Sequence, residues 1–264
     1  MIWSECRRLF EETLPKDVDL SSFELKDSLN RDFWKDGMMD KVARRQLLDI
    51  SKDFLENLEL ENVAVEDIVV TGSVANYNWS KRYSDIDLHI IVNYAEYFDS
   101  SAVAQQYFDS IRKYWNLTHD RIKIYGFPVE IYVQDITEPH DFPGTYSIIT
   151  NEWITKPEKK YLENKGLNKE TVKSAVSELM NRIDDAEKLL NHAETRADFV
   201  EAYNLAKEIF KDIKDTRKES FKDNDEHQEM TEGNLTFKTL RRNGYIEKIV
   251  GIKNDAYDMM KSVR

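Results

Sequence analysis

The chain has 264 residues, a formal net charge of −12, 41% hydrophobic residues and 33% charged residues. This composition is typical of a soluble globular protein with one large domain or two modest ones, and it excludes a disordered chain. The longest apolar runs, such as Ile90-Ile91-Val92, are far shorter than a membrane span. Since the N-terminus lacks a signal-peptide layout and the single cysteine, Cys6, excludes an internal disulfide, we expect a cytoplasmic protein.

The excess of acidic residues bears on the class of partner. Proteins that bind long nucleic acid by neutralising its phosphates usually carry a basic surface. Here the acid excess is global, apart from local basic clusters in the C-terminal third, so we expect no long nucleic acid and no membrane as a partner. A small nucleotide remains compatible, because a bound metal supplies positive charge.

The first third of the chain begins with irregular sequence and continues with one helix. Residues 1–36 are predicted to be an extended arm with apolar anchors at Trp3, Phe10, Leu20, Phe23, Phe33 and Trp34. In residues 39–59 apolar side chains recur at steps of three and four, which predicts an amphipathic helix.

Strand patterns then alternate with a second helix. Ile68-Val69-Val70 predicts a short strand, residues 85–92 a strand that enters a core, and residues 101–115 a helix. Residues 121–125 and 129–133 are two further strand candidates, joined through Gly126-Phe127-Pro128 as a hairpin.

The last third of the chain has helical periodicity. Two helices are predicted over residues 172–190 and 199–213, followed by a polar, mobile connector at 220–233 and a helical region at 234–262 that breaks near Gly244. We therefore predict an α/β core with a mixed sheet and flanking helices at 37–157, preceded by the arm at 1–36. A helical C-terminal domain at 158–264 follows.

The segment with the clearest chemistry contains two aspartates. Thr71-Gly72-Ser73 is followed after ten residues by Ser84-Asp85-Ile86-Asp87. Residues two apart on a strand project from one face, so the carboxylates of Asp85 and Asp87 are expected to be close and to need a compensating cation. A pair of divalent ions about 3.5–4 Å apart is the usual solution in phosphoryl chemistry. Mg²⁺ fits best because it prefers oxygen ligands, and Mn²⁺ is the alternative.

Gly72 and Ser73 lie where a strand ends. We expect a short helix at residues 74–79, whose N-terminal N–H groups, with the Ser73 hydroxyl, would hold phosphate oxygens. Glycine at position 72 would let the chain approach the ligand closely.

A third acid is expected on a neighbouring strand. Glu130 is a charged residue inside the otherwise apolar run Val129–Val133. A buried strand acid is costly unless it is paired or metal-bound, so a metal site would explain its presence. Asp135, at the exit of the same strand, is the alternative ligand.

Gly-Ser, an Asp-x-Asp about a dozen residues later and a strand acid some forty residues further on together resemble the DNA polymerase beta nucleotidyltransferase superfamily, over residues 65–135. The resemblance implies that Asp85 and Asp87 bind two metal ions and that Glu130 binds the one that activates the acceptor hydroxyl. It also implies that Gly72 and Ser73 hold a nucleoside triphosphate. Ser84, which directly precedes Asp85, is a further candidate for nucleotide binding. Glu130 departs from the family pattern, in which the third acid is more commonly aspartate.

The wider chain resembles uncharacterised nucleotidyltransferase-like proteins of tailed bacteriophages. The segments that carry this likeness are Ser28-Leu29-Asn30, Phe33-Trp34, Val129–Asp135, Tyr146-Ser147-Ile148 with Trp153, and Asn234–Arg241. It implies no particular substrate, and for a phage protein it would place the chain in the host cytoplasm.

Several polar residues allow both a structural and a functional interpretation. His89, on the predicted face of the aspartates, would contact a metal or phosphate, or be a structural histidine paired with a neighbouring acid. Lys81 and Arg82 would steer phosphates or belong to a solvated loop. Lys238 and Arg241, together with Arg242, would meet the triphosphate or form a surface patch.

The predicted reaction transfers a nucleoside monophosphate from a triphosphate to a hydroxyl acceptor and releases pyrophosphate. Two alternatives of the same chemistry are a nucleotide second-messenger synthase and an antibiotic adenylyltransferase. A third alternative is a catalytically silent interaction protein with the same fold. The acceptor, the preferred base and the oligomeric state stay open at this point.

Overall fold

The computed structural model describes residues 13–58, 60, 63–138, 143–163, 166–222 and 228–262. These residues form two compact units, one of residues 22–162 and one that combines residues 13–21 with residues 163–262. The described part of the predicted arm therefore divides between the two units after Ser21. The predicted anchors Trp3 and Phe10 lie outside the described residues.

The unit of residues 22–162 is built on a six-stranded sheet in the order β5-β6-β4-β3-β7-β8, preceded by a two-stranded ribbon, β1-β2. The strands are β1 (Trp34–Lys35), β2 (Met38–Met39), β3 (Val65–Thr71), β4 (Ile86–Val92), β5 (Lys123–Ile124), β6 (Phe127–Asp135), β7 (Thr145–Ser147) and β8 (Glu152–Thr155). β4 and β6 are parallel, whereas the other paired neighbours are antiparallel. The mixed sheet confirms the predicted α/β core.

Strand β4 has the alternation that its sequence predicts. Ile86, Leu88 and Ile90 are buried on one face, while Asp87 and His89 on the other face are half-buried. Because side chains of a strand point alternately to opposite faces, one face of β4 builds the hydrophobic core and the other presents polar groups.

Two helices flank this sheet. Helix α1 (Lys41–Glu56) begins where the Asp40 carboxylate accepts hydrogen bonds from the backbone N–H groups of Val42 and Ala43, as a helix N-cap requires. Helix α2 (Ser101–Thr118) is anchored by its buried residues Ala104, Phe108 and Trp115. Both predicted helices are confirmed.

The predicted hairpin of β5 and β6 is confirmed with a shorter turn than expected. β6 begins at Phe127, so the turn consists of Tyr125 and Gly126, with φ values of 51° and 90°. Two consecutive left-handed residues are what a tight hairpin turn needs. Phe127 belongs to the strand because its ring is buried and packs edge-on against Phe33.

The second unit consists mainly of helices α3 (Lys169–Asn191), α4 (Arg196–Lys222), α5 (Glu232–Arg242) and α6 (Tyr245–Lys261). Helices α5 and α6 are separated by Asn243 and Gly244, and Gly244 has a φ of +78°, so the predicted break is confirmed. None of the helices in the described part of the chain combines the length and the apolar character needed to cross a bilayer.

The predicted connector at residues 220–233 is wrong at both ends. Helix α4 continues to Lys222, and helix α5 already begins at Glu232. The hydroxyl of Thr231 caps helix α5 by accepting from the N–H of Asn234, and the side chain of Asn234 is fully buried. These polar contacts let helix α5 begin at residues that the hydrophobic pattern of the sequence does not mark as helical. Residues 223–227 lie outside the described part of the chain.

Candidate active site

Three carboxylates meet at the polar face of the central strands. β4 and β6 run side by side with Asp87 opposite Glu130, and Asp85 immediately precedes β4. Ligand oxygens of Asp85, Asp87 and Glu130 all lie within 4.8 Å of one another, and all three residues are half-buried. Glu130 therefore lies on the strand next to β4, where the sequence predicts a third acid.

The donor set of this cluster suits a hard divalent cation. Every candidate ligand is a carboxylate oxygen, the ligand type that Mg²⁺ and Mn²⁺ prefer. Three carboxylates at this spacing repel one another when ionised, so a cation among them would lower the energy of the ionised cluster. The residues present therefore fit a metal site.

Tyr132 lies next to the acids on β6. Its hydroxyl is hydrogen-bonded to Glu130, and burial, followed by the charge of Asp87, raises the pKa of Tyr132 well above its usual range. The phenol therefore stays protonated and donates to the carboxylate. Its ring stacks on the imidazole of His89 at 4.8 Å and lies 4.9 Å from the guanidinium carbon of Arg112.

His89 has an amide as its hydrogen-bond partner, where the structural interpretation of the sequence expected an acid. Its Nδ1 lies 2.9 Å from Oε1 of Gln134. Gln134 is two residues beyond Tyr132 on β6 and lies opposite Ile91. Strand alternation places Tyr132 and Gln134 on the same face of β6 as Glu130. This pattern in the sequence would have indicated both residues as neighbours of the acids.

Asp135, the alternative third ligand, binds backbone N–H groups at the end of β6. Its carboxylate accepts hydrogen bonds from the N–H of Tyr94, at 2.8 Å, and from the N–H of Thr137, at 2.9 Å. The residue is 8% exposed and is not part of the acid cluster. Its hydrogen bonds hold the loop after β6.

Gly72 brings the backbone of the turn after β3 against Asp87. Its φ is +71°, and a Cβ atom at this position would meet the Asp87 carboxylate. Thr71, the last residue of β3, is paired with Asp87 in the sheet. Only glycine fits this conformation and this contact without displacing the acid.

The predicted short helix at residues 74–79 is wrong, because residues 72–78 form turns and a bend. The carbonyl of Val74 accepts from Nε1 of Trp34 at 2.8 Å, and the carbonyl of Tyr77 accepts from the N–H of Lys26 at 2.7 Å. The Asn76 side chain accepts from the N–H of Tyr77 and so competes with helical bonding. The helix N-terminus expected to hold phosphate is therefore replaced by a turn.

Ser73 and Ser84 connect this turn to the aspartates. The Ser73 hydroxyl donates to the Ser84 hydroxyl at 2.6 Å, and the N–H of Ser80 donates to the same oxygen at 2.8 Å. Ser84 is 6% exposed and directly precedes Asp85. The bonds fix the distance between the Gly72-Ser73 turn and the start of β4.

A cavity of about 450 Å³ opens beside the acids. Asp85 and Glu130 line it, and so do the basic residues Lys81, Arg82 and Lys123. Lys81 and Arg82 are among the residues that the sequence offers as phosphate contacts, whereas Lys123 is not, because only the β5-β6 hairpin brings that residue to the cavity.

The basic cluster of Lys238, Arg241 and Arg242 lies on helix α5. Lys238 is ion-paired with Glu229, and its side chain is 20% exposed. Arg241 is exposed. Burial, followed by the charge of Arg241, lowers the pKa of Arg217. The idea that Lys238 and Arg241 meet a triphosphate stays a prediction.

Comparison with known proteins finds a similarity in the central part of the chain. Residues 49–156 match the family model of the nucleotidyltransferase domain. No curated protein sequence matches the chain at a significant level. A solved structure, the STING-associated CdnE c-di-GMP synthase from Capnocytophaga granulosa, aligns with 14% identity over 84% of both chains and a TM-score of 0.22. At that score the likeness carries no argument about activity.

Proposed function

We propose that this chain, whose residues 49–156 match the family model of the nucleotidyltransferase domain, transfers a nucleoside monophosphate from a triphosphate to a hydroxyl acceptor and releases pyrophosphate. The observation that carries the proposal is the cluster of Asp85, Asp87 and Glu130, which lies within the matched range. The acceptor oxygen forms a bond to the α-phosphorus, the bond from that phosphorus to the pyrophosphate oxygen breaks, and the hydroxyl proton leaves to solvent.

Asp85, Asp87 and Glu130 would hold two Mg²⁺ ions, or Mn²⁺ in their place. When bound, the ions would neutralise phosphate charge and orient the reacting oxygens, which is the main source of rate enhancement in phosphoryl transfer. The protein's own contribution is to keep three carboxylates in one place before the substrate arrives.

Residues around the acids restrict their movement. The hydroxyl of Tyr132 donates to Glu130, and the ring of Tyr132 packs against His89 and Arg112. The backbone of Gly72 abuts Asp87. These contacts support a preorganised site, in which little reorganisation accompanies the reaction.

The triphosphate is proposed to bind at the turn of Gly72 and Ser73. Backbone N–H groups of a tight turn and a hydroxyl are suitable ligands for phosphate oxygens. The hydrogen bonds from Ser73 and Ser80 to Ser84 support this role, since they hold the turn at a constant distance from Asp85. Ser84 is proposed to position this turn by accepting the hydrogen bond from Ser73.

The acid cluster bears differently on the alternative functions. A second-messenger synthase and an antibiotic adenylyltransferase would use the same chemistry on different acceptors. A silent interaction protein would have no need for three carboxylates whose oxygens lie within 4.8 Å of one another, because such a cluster costs stability without a cation. The acid cluster therefore favours an active enzyme.

The test uses position-specific labels. The full-length chain is incubated with Mg²⁺, small-molecule cell extract and each of the four ribonucleoside triphosphates, labelled either at the α- or at the γ-phosphate. We expect the α-label in a new product and the γ-label in pyrophosphate. Label from the γ-phosphate in the product would indicate a kinase and overturn the proposal. Absence of any transfer, together with no thermal shift on adding Mg²⁺ and triphosphate, would also overturn it.

A further inference from the structure

The cavity beside Asp85 and Glu130 has a composition that points to the class of acceptor. We infer that the hydroxyl acceptor is a small phosphorylated compound, a sugar phosphate or a nucleotide, whose phosphate binds to Lys81, Arg82 and Lys123. The inference rests on the proposed function, because it assigns the second substrate of that reaction. The acceptor hydroxyl still forms the new bond to the α-phosphorus while pyrophosphate leaves.

The position of the cavity supports an acceptor rather than the donor triphosphate. Asp85 and Glu130 line the cavity, whereas Gly72, Ser73 and Asp87 are not among the lining residues. Gly72 abuts Asp87 instead. In phosphoryl transfer the attacking and leaving oxygens lie roughly in line through the phosphorus. If the triphosphate is at the Gly72-Ser73 turn, the space beside Asp85 and Glu130 is available to the attacking group.

The charges of the cavity favour an anionic group. Within the described part of the chain, Lys81, Arg82 and Lys123 form no ion pair with an acidic side chain. The acids that line the cavity are Asp85, Glu130 and Asp120. Two of these three belong to the proposed metal site, so Asp120 alone opposes three cations when metal is bound.

Lys81, Arg82 and Lys123 come from two separate segments. Lys81 and Arg82 are in the loop before β4, and Lys123 is the first residue of β5. All three are exposed and line the cavity, so a phosphate would remain hydrated on one side while it is bound on the other. Cationic side chains form their strongest hydrogen bonds with phosphate and carboxylate oxygens.

Size and charge limit the acceptor to a small molecule. A volume of about 450 Å³ lies within the range of pockets for small ligands. The net charge of −12 opposes the binding of long nucleic acid, because the excess of acidic residues would repel its many phosphates. A sugar phosphate and a nucleotide have the required phosphate in common, and the experiment distinguishes them.

The experiment is calorimetric and needs no turnover. The full-length chain is first saturated with Mg²⁺ and an α,β-methylene triphosphate, which cannot transfer its nucleotide. Ribose 5-phosphate, adenosine 5′-monophosphate, ribose and adenosine are then titrated separately, followed by a short single-stranded RNA. We expect at least one of the two phosphorylated compounds to bind about tenfold or more tightly than its unphosphorylated counterpart.

Variants locate the phosphate. In Lys81→Ala/Lys123→Ala the preference for the phosphorylated compound should fall by about tenfold or more. Affinity for the methylene triphosphate should stay within about twofold of that of the parent. Lys81→Arg/Lys123→Arg should retain the preference. Lys113→Ala removes an exposed lysine of helix α2 that does not line the cavity, and it should behave as the parent does.

The outcomes separate the two proposals. If the methylene triphosphate binds but neither phosphorylated compound is preferred, or if the Lys81/Lys123 variant keeps the preference, the inference is wrong and the proposed function stands. Tighter binding of RNA than of both small compounds would also overturn it. If the triphosphate itself does not bind in the presence of Mg²⁺, the proposed function fails, and the inference fails with it.

Discussion

A Cβ atom on Gly72 would lie 1.7 Å from Oδ2 of Asp87, far inside the distance at which the two atoms can coexist. The backbone of the turn after β3 and a proposed metal ligand are therefore in direct contact. Because Gly72 also has a φ of +71°, a side chain at this position has two separate costs. One is backbone strain, and the other is displacement of the carboxylate.

A pair of glycine variants separates these two costs. Gly37, between β1 and β2, has a φ of +80°, and a methyl group at this position would have no atom from another part of the chain within 4 Å. Gly37→Ala should lower the free energy of unfolding by about 1–2 kcal/mol through strain alone. Gly72→Ala should lower it by roughly 1–3 kcal/mol more, because the methyl group overpacks against Asp87. Urea denaturation of both variants measures the difference.

The same pair should differ in metal binding. Gly72→Ala is expected to weaken Mn²⁺ binding, measured by electron paramagnetic resonance, whereas Gly37→Ala should bind Mn²⁺ as the parent does. Equal stability and equal Mn²⁺ affinity in the two variants would show that the turn and Asp87 are not coupled.

Removing two charges from the acid cluster should stabilise the protein when no metal is present. In Asp85→Asn/Asp87→Asn the repulsion among the three carboxylates is relieved, and we expect a rise in the free energy of unfolding on the order of 1 kcal/mol. Asp49→Asn/Asp53→Asn removes the same charge from exposed positions of helix α1 and should have a smaller effect. With Mg²⁺ and triphosphate added, only the parent and the Asp49/Asp53 variant should gain stability. A double variant at the acid cluster that is less stable than the parent without metal would contradict the interpretation.

Asp40 gives the fold a defined pH dependence. Hydrogen bonds from Lys35 and then from the Tyr125 hydroxyl, both at 2.6 Å, hold the pKa of Asp40 well below its ordinary value of 3.8. A carboxyl group with a lower pKa in the folded state stabilises that state above its unfolded pKa, and the contribution is lost as the pH falls through the folded pKa.

The prediction is therefore that Asp40→Asn is less stable than the parent at pH 7 and that the difference shrinks as the pH falls below about 3.8. Urea midpoints at pH 7, 5 and 3 measure it. Asp36→Asn, at an exposed position in the preceding turn, controls for the loss of one negative charge. A difference between parent and Asp40→Asn that is constant with pH would contradict the assignment.

The sequence predicted those parts of the site that depend on strand alternation. Asp87 and Glu130 are opposite each other because both strands have a period of two and lie in parallel register. The sequence predicted a helix where residues 72–78 form a turn. The carbonyl groups of this turn accept hydrogen bonds from the Trp34 side chain and the Lys26 backbone, and the local sequence does not show these distant partners. The cavity was missed for the same reason, since it combines segments that are distant in sequence.

The basic cluster of helix α5 calls for a binding measurement. If Lys238 and Arg241 meet the triphosphate, Lys238→Ala/Arg241→Ala should weaken its binding, and the loss should be larger at low salt. Loss of the ion pair between Lys238 and Glu229 should cost about 1 kcal/mol or less, so the melting temperature should barely change. Lys207→Ala/Lys211→Ala, which removes two exposed lysines of helix α4, is the matched control. Unchanged affinity in the Lys238/Arg241 variant would identify the cluster as a surface feature.

The most direct test of the central claim is the initial rate of pyrophosphate release by the parent and by Asp87→Asn, in matched reactions with Mg²⁺, the preferred triphosphate and cell extract. The substitution keeps the shape of the side chain and removes its charge, so the fold should persist, as circular dichroism would verify. We expect the rate to fall by at least about 100-fold, because the site loses a metal ligand. Glu66→Gln, at an exposed position of β3, should keep the parent rate. A near-normal rate in Asp87→Asn would contradict the assignment of the acid cluster as the catalytic metal site.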